Sequence, residues 1–346
     1  MTLPETISDF LGIGGVSGEL IGGFIGALLV GSIILAQAAV AGPWAKRKIT
    51  AAFTDRIAID KIGPLGLGYI LVDSVRLLSK ELIIPEGVDR PAYDIAPILL
   101  AGSALLGFAV IPMGSGIHLA DPQVGLIFVF AVASIASVAL VMAGYSSNNK
   151  YSFLGGLRAV AQNLAYEIPL ILTGLSVVIF AGSLQMSEIV AVQSQTLVTL
   201  GPVSIPAWFA ILNPFAFVLF LAANFAEVGR NPFDLPEAGQ EIVAGFQTEY
   251  SSVYFVLLYL GEFIHIFLGG ALIATIFLGG PAGPVLPGIV WFLIKIWAVF
   301  LLTQWFRSAV PRVRIDQLIQ IGWKGMLVLS FLNLFLTAVI VGVLPT

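Results

Sequence analysis

The chain contains no cysteine. That excludes structural disulfides, a thiolate nucleophile and cysteine ligation of an iron–sulfur cluster. Histidine is nearly as scarce, with only His118 and His265 present, so a metal site would need carboxylate ligands and none is expected. Charge is also thin: Asp, Glu, Lys and Arg make up 10% of residues, against roughly a quarter in a soluble domain. With a net charge of −4, no nucleic-acid partner is expected. Redox chemistry, if the protein takes part in any, has its electrons carried by other chains.

What is abundant is apolar surface. Hydrophobic residues make up 58% of the sequence and the mean hydropathy is +1.00, more than a globule can hide. Apolar runs near 20–42, 95–112, 124–144, 163–183, 206–226, 253–279, 285–306 and 323–344 are each long enough to cross about 30 Å of hydrocarbon as helix. The reading is an all-α polytopic membrane bundle of about eight transmembrane helices, forming a single integral membrane domain over 1–346. A membrane β-barrel would show short alternating segments, the opposite of this pattern. The first span lacks a basic stretch ahead of it and a small-residue cleavage site before Pro43-Trp44, so it reads as a retained helix and not a signal peptide.

The basic residues set an orientation. Loop 43–94 carries eight: Lys46, Arg47, Lys48, Arg56, Lys61, Arg76, Lys80 and Arg90. The third loop adds Lys150 and Arg158, the fifth Arg230, and the seventh Arg307, Arg312 and Arg314, with Lys324 at its edge. Even-numbered loops and both tails have none, which puts the odd loops in the cytoplasm and both termini outside the plasma membrane. Within loop 43–94, GYILVDSVRLLSKEL sets Asp73, Arg76 and Lys80 on one helical face. Two readings stay open: an amphipathic helix lying in the interface, or a solvated face packed on the protein's own surface.

Three ionisable residues fall inside spans: Glu167, Glu262 and Lys295. Such groups face a bundle interior or a water path, either as a structural ion pair or as a hydrated relay. His265 follows Glu262 by three residues and shares its face, as a core histidine or a relay. His118 sits in a short Gly/Pro-rich loop and carries no inferred role.

The densest charge is in EVGRNPFDLPEAGQEIVAGFQTEY, the cytoplasmic loop over 227–252, with Glu227, Asp234, Glu237, Glu241, Glu249 and one Arg. Asp234, Pro236 and Glu237 match a helix start with its capping box. On such a helix Glu237 and Glu241 stand at i, i+4. Without neighbouring cations, repulsion would leave at least one of them easier to protonate than a free Glu. Arg230 can neutralise a carboxylate or hydrogen-bond a polar head group. A solvated acidic loop is the alternative.

This segment resembles the hallmark loop of the H subunit of NADH-quinone oxidoreductase, respiratory complex I, whose pattern runs approximately NRxPFDLPEAExELVAGxxTEY. The likeness continues in AGYSSNNKYSFLGGLRAVAQNLAYEIP (143–169), GEFIHIFLGGALIATIFLGG (261–280), WFLIKIW and RSAVPRVRIDQLIQIGWK. It implies a membrane subunit of a proton-pumping oxidoreductase with no redox centre of its own and no covalently bound cofactor. Iron–sulfur clusters and flavin then sit in partner subunits. The resemblance implies cluster-bearing peripheral-arm subunits at the cytoplasmic loops, with small and antiporter-like subunits alongside in the lipid bilayer. By position it implies a proton path through Glu227, Asp234, Glu237, Glu241, Glu249, Glu167, Glu262 and Lys295. Arg230, Phe233, Phe246, Tyr250, Arg307 and Arg312 match the chamber where a quinone is reduced.

The chain departs from the family at Gly239, where a further Glu is usual, and in the first loop, where FTDRIAIDKIGP and LGYILVD replace RxQxRxGPN and LQPLAD. Those departures lean toward the related methanogen assembly that oxidises reduced deazaflavin and reduces methanophenazine, so donor and carrier both stay open. The rival readings are the equivalent subunit of a membrane-bound hydrogenase and a stand-alone ion transporter. A transporter would commonly show related halves, and this chain shows no internal repeat.

Overall fold

A computed structural model describes residues 2–12, 16–114, 116–200, 203–230, 233–236, 241–284 and 286–343. After a short helix α1 (Leu3–Leu11), the first span is one continuous rod, α2 (Val16–Ala36), a π turn (Gln37–Ala41) and α3 (Gly42–Phe53). The surface helix α4 (Leu67–Leu78) follows, then α5 (Arg90–Gly107), α6 (Gly125–Ser146) and α7 (Lys150–Ala181). Next come α8 (Met186–Gln193), the antiparallel strands β1 (Thr196–Leu200) and β2 (Val203–Pro206), a single turn α9 (Phe209–Leu212) and α10 (Pro214–Glu227). Two long helices, α11 (Ser252–Phe277) and α12 (Gly288–Ala309), precede a last rod built from α13 (Ile315–Gln320), a second π turn (Ile321–Met326) and α14 (Leu327–Val343).

Among the described residues seven helices are long and apolar enough to cross a membrane. The eighth expected span, 206–226, is the shorter α10. Asn213 breaks it from α9, and the Asn213 side chain caps the new helix by accepting from the Ala216 N–H at 3.0 Å, with Pro214 in the first turn, where a missing N–H costs nothing. The hairpin before it is an addition that hydropathy did not suggest. The long loop expected from 43 starts later, because α3 carries the first span through to Phe53.

α11 is the pillar of the bundle. Its residues from Phe263 to Phe277 are buried almost without a break, because α5 packs on one side and α12 on another, with α10 and α2 touching as well. A helix apolar all round belongs in such a position. α7 has the same role for α6, α10 and α14. Pro169 lies inside α7 and removes the donor that the Ala165 carbonyl would otherwise use. Gly322, in the second π turn, packs directly against Ala165.

The connections sort to two ends. At one end the Leu3 N–H meets the His118 carbonyl, Gln193 holds the Gly279 N–H, and Leu126 bonds to Leu184. At the other, Asp89 bonds to the Ser146 carbonyl, Ser251 to Ile83, and Arg312 to the Asp234 carbonyl. The second end gathers all the loops rich in Lys and Arg.

α4 packs one face on the protein. Asp73 turns inward to an ion pair with Arg47 of α3 at 2.6 Å, while Leu71, Val72, Val75 and Leu78 stay exposed. The face carrying Asp73 packs on the protein, and an apolar face is left exposed.

Candidate functional site

The acidic segment folds back onto the bundle at the basic end. Asp234 and Leu235 are irregular and Pro236 is a bend, while Glu241 to Ala244 are bends and turns, followed by a 3-10 turn at Gly245–Gln247. The helix start expected at Asp234 is therefore absent from those residues, and Glu237 lies outside the described residues. Ile242 and Phe246 are nonetheless buried, at 3% and 2% exposure, so the apolar run does dip into the bundle.

α7 provides the seat. Ser152 donates to the Phe246 carbonyl at 3.1 Å, and Gly155 lies so close that a methyl there would come within 2.6 Å of the Phe246 nitrogen. Val243 and Ser252 take left-handed backbone, with φ of 62° and 48°. For a β-branched residue that conformation is strained and survives only where surrounding contacts impose it.

Most acids of the segment meet partners. Glu241 accepts from Arg158 at 2.5 Å, and that hydrogen bond holds its carboxyl below the usual carboxylate range, with Arg312 helping by charge. This reverses the sequence expectation for Glu241, which assumed no neighbouring cation. Because its pKa is depressed, the bridge contributes at neutral pH and is lost as pH falls through that lowered value; Glu241 is half exposed, so its effect on stability is small. Glu249 accepts from Asn149 at 2.5 Å, while its backbone carbonyl takes the Tyr93 hydroxyl at 2.7 Å. Tyr93 stacks on Tyr250 with centroids 4.2 Å apart, and burial pushes the Tyr250 hydroxyl up to about 12.

Below the segment the polar groups continue inward. Glu262 of α11 accepts from Arg230 at 3.3 Å and from Gln247 at 2.7 Å. Arg230 is itself only 4% exposed, with its guanidinium 5.0 Å from the centre of the Phe263 ring. Lys46 of α3 stands over the same ring at 5.3 Å and over Tyr259 at 5.5 Å. The Phe263 ring is thus shared by two cations, each worth roughly 0.5–2 kcal/mol of attraction depending on desolvation.

Two cavities flank this cluster. The inner one, about 70 Å³, is lined by Glu227, Glu262, His265, Asn163, Asn224 and Phe246 among others. A water needs about 10–15 Å³ by the same measure, so several fit. Gly269 makes it possible for Asn224 to reach the wall, since a Cβ there would overlap the Asn224 amide. The second cavity, about 350 Å³, opens between α3, α4 and α11; Ile70, Leu77, Phe255 and Tyr259 give it an apolar body, and Arg47 and Asp73 a polar edge.

The remaining expected residues lie around this core or away from it. Phe233 packs on Tyr166 at 5.8 Å, Arg312 donates to the Asp234 carbonyl, and Arg307 is half-buried in the last turn of α12. Glu167 lies in an apolar groove between α6 and α7 with Ser134, close enough to Glu227 for their charges to interact. Lys295 is elsewhere. Its ammonium donates to the Leu278, Gly280 and Ala282 carbonyls, each at 2.7 Å, at the end opposite the acidic segment. Replacing it by Met is expected to destabilise the protein by about 1–3 kcal/mol through orphaned carbonyls. Thermal unfolding of the purified complex would detect this loss.

Sequence reasoning missed Gln247, Asn149, Asn163 and Asn224. They are neutral residues in an apolar sequence, and only contact across many positions reveals them.

The NADH dehydrogenase family model matches residues 25–338. The chain is 43% identical over 295 residues to the H subunit of NADH-quinone oxidoreductase from Dehalococcoides mccartyi, covering 85% of this chain and 80% of that one. It is 41% identical over 321 residues to the protein of the same name in Geobacillus kaustophilus, covering 91% and 92%. An H subunit of the same enzyme from Cereibacter sphaeroides is 42% identical over 308 residues, covering 88% and 94%. With the match running through every spanning helix and the acidic segment, this chain belongs to the NADH dehydrogenase family, among the H subunits of NADH-quinone oxidoreductase.

Proposed function

We propose that the protein is the membrane subunit of a complex I-type oxidoreductase that forms the bilayer side of a quinone-reduction chamber and the start of a proton path. The observation carrying this reading is the unbroken run of polar groups from the acidic segment through Arg230, Gln247 and Glu262 to the cavity bearing Glu227. Two-electron reduction of a quinone takes up two protons and alters local charge. Carboxylates beside such an event, held in a narrow polar cavity, convert it into proton movement. The 350 Å³ opening beside α4 suits an amphiphilic head group entering from lipid. From there Tyr259 and Phe263, bridged by Lys46, lead toward Arg230.

In this reading Arg230, Phe233, Phe246, Tyr250, Arg307 and Arg312 border the chamber. Asp234, Glu237, Glu241 and Glu249 form its acidic mouth. Glu227, Glu262 and Glu167 carry protons onward to neighbouring antiporter-like subunits. Lys295 joins the reading as a structural residue, because its three donors are already engaged. The basic end faces the cytoplasm of a plasma membrane and receives the peripheral arm with its flavin and clusters, while both termini lie outside. The relatives are named for a quinone, which favours a quinone over methanophenazine as the carrier.

The test uses membranes holding the intact complex, driven by NADH or by reduced deazaflavin, with a quinone or a phenazine as acceptor. Glu262→Gln and Glu227→Gln are expected to lower proton translocation per electron at least tenfold while the subunits still co-purify. Unchanged proton-to-electron ratios in both variants would refute the path.

A further inference from the structure

The inner cavity holds one chemical group that the proposed path does not use. His265 lies on α11 three residues beyond Glu262, so its ring is on the same face and about 4.5 Å further along the helix axis. It lines the same cavity as Glu262 and Glu227. Its Nε2 atom is sealed from bulk solvent and has no hydrogen-bond partner from the protein. A buried polar atom left without a partner costs roughly 1–3 kcal/mol, and such sites call for an ordered water or a role. Here the cavity has room for several waters, with Asn163 and Asn224 to hold them.

The charged surroundings are few. Of the elements packed around the ring, α10 contributes Glu227 and α11 contributes Glu262; the lining residues from α5, α6 and α7 are Leu100, Ala133, Ala136, Leu140 and Asn163, with no titratable group among them. Arg230 is one step removed, through Glu262, and Glu167 one step removed, through Glu227. An imidazole placed between two carboxylates differs from a third carboxylate. Its Nε2 can take up a proton and give it back while the other ring nitrogen is held by the Leu100 backbone, and the ring is positive when loaded and neutral when empty, where a carboxyl is neutral when loaded and negative when empty.

We propose that His265 is a proton-carrying residue of this chain, passing protons through cavity water between Glu262 and Glu227. This rests on the proton-path reading above. When the carrier at the acidic mouth is reduced and draws on Glu262, His265 takes a proton from the Glu227 side onto Nε2 and then hands it to Glu262, returning to the neutral ring. No covalent step or electron transfer is involved. Each transfer moves one proton along a water and leaves donor and acceptor with charges changed by one in opposite senses.

The experiment uses the intact complex in membranes, with His265→Gln and His265→Asn, both neutral and neither able to carry a proton at neutral pH. Proton translocation and electron transfer are measured separately from pH 4.5 to 8.5. The expected result is co-purification of all subunits and at least a tenfold fall in translocation. The pH profile of coupled turnover is also expected to lose an ionisation that the wild type shows. A wild-type rate and profile in either variant overturns the proposal. A fall of equal size at every pH, with the profile otherwise unchanged, also overturns it, because a merely structural role gives that result. Should both variants fail to assemble, the unmodified complex is prepared with ring-labelled histidine. The infrared difference spectrum on carrier reduction must then contain an imidazole protonation band, and its absence overturns the proposal. Glu262→Gln, run in parallel, separates the two claims. If it abolishes coupling while His265→Gln does not, the path stands and only His265's part in it fails.

Discussion

Replacing Arg230 by methionine is expected to destabilise the protein by about 3–5 kcal/mol, the penalty for removing one partner of a buried charge pair. Arg230 is 4% exposed and Glu262 is its partner at 3.3 Å. Methionine fills a similar volume, so packing against Phe263 is largely kept and the loss is electrostatic. Gln247 would remain on the Glu262 carboxylate, without the guanidinium's charge. The double variant Arg230→Met with Glu262→Gln also removes the carboxylate charge and is expected to recover much of the loss. Chemical denaturation of the solubilised protein, or the fraction of complex assembled in membranes, reads this directly. A double variant no more stable than Arg230→Met would show that the two side chains are not energetically coupled.

Introducing valine at Gly155 is expected to reduce carrier-dependent turnover below a tenth of wild type. A Cβ at this position would lie 2.6 Å from the Phe246 nitrogen and 2.7 Å from the Gly245 Cα. Those are backbone atoms, unable to swing aside as a side chain could. Overpacking of this kind costs about 1–3 kcal/mol, and here the relaxation has one obvious direction, lifting the acidic segment off α7. Ser152 would lose the Phe246 carbonyl, and Gln247 would move away from Glu262. The bundle is otherwise untouched, so the protein should remain in the membrane. The measurement is turnover with the natural carrier together with protease sensitivity of the segment. Full activity in Gly155→Val would mean that the seat on α7 does not position the site.

Several features were legible before any coordinates. Long apolar runs mark spanning helices because a bilayer imposes one length and one composition, and seven of them stand where hydropathy put them. Gly-rich or apolar context could not disguise Glu262, since a carboxylate within a span is rare enough to single out. The partner of Glu262 was not legible. Gln247 is 15 residues away across an irregular loop, and nothing in the residue itself separates it from any other glutamine. The same holds for Lys295. A span lysine suggests an ion pair, but the ammonium found three carbonyls at the end of α11, a solution that depends on loop shape. The helix start expected at Asp234 does not show in Leu235 or Pro236, because capping signals describe local preference only. Gly245 and Phe246 are held by docking onto α7.

The π turn at Gln37–Ala41 sets where the first rod aims its charges. Such a turn amounts to one residue more than a regular α-helix would hold, so everything after it is rotated by about 100° about the axis. Lys46 over the Phe263 ring and Arg47 against Asp73 owe their azimuth to that supernumerary residue. Wound as an uninterrupted α-helix, the same residues would turn both cations about 100° away from these partners.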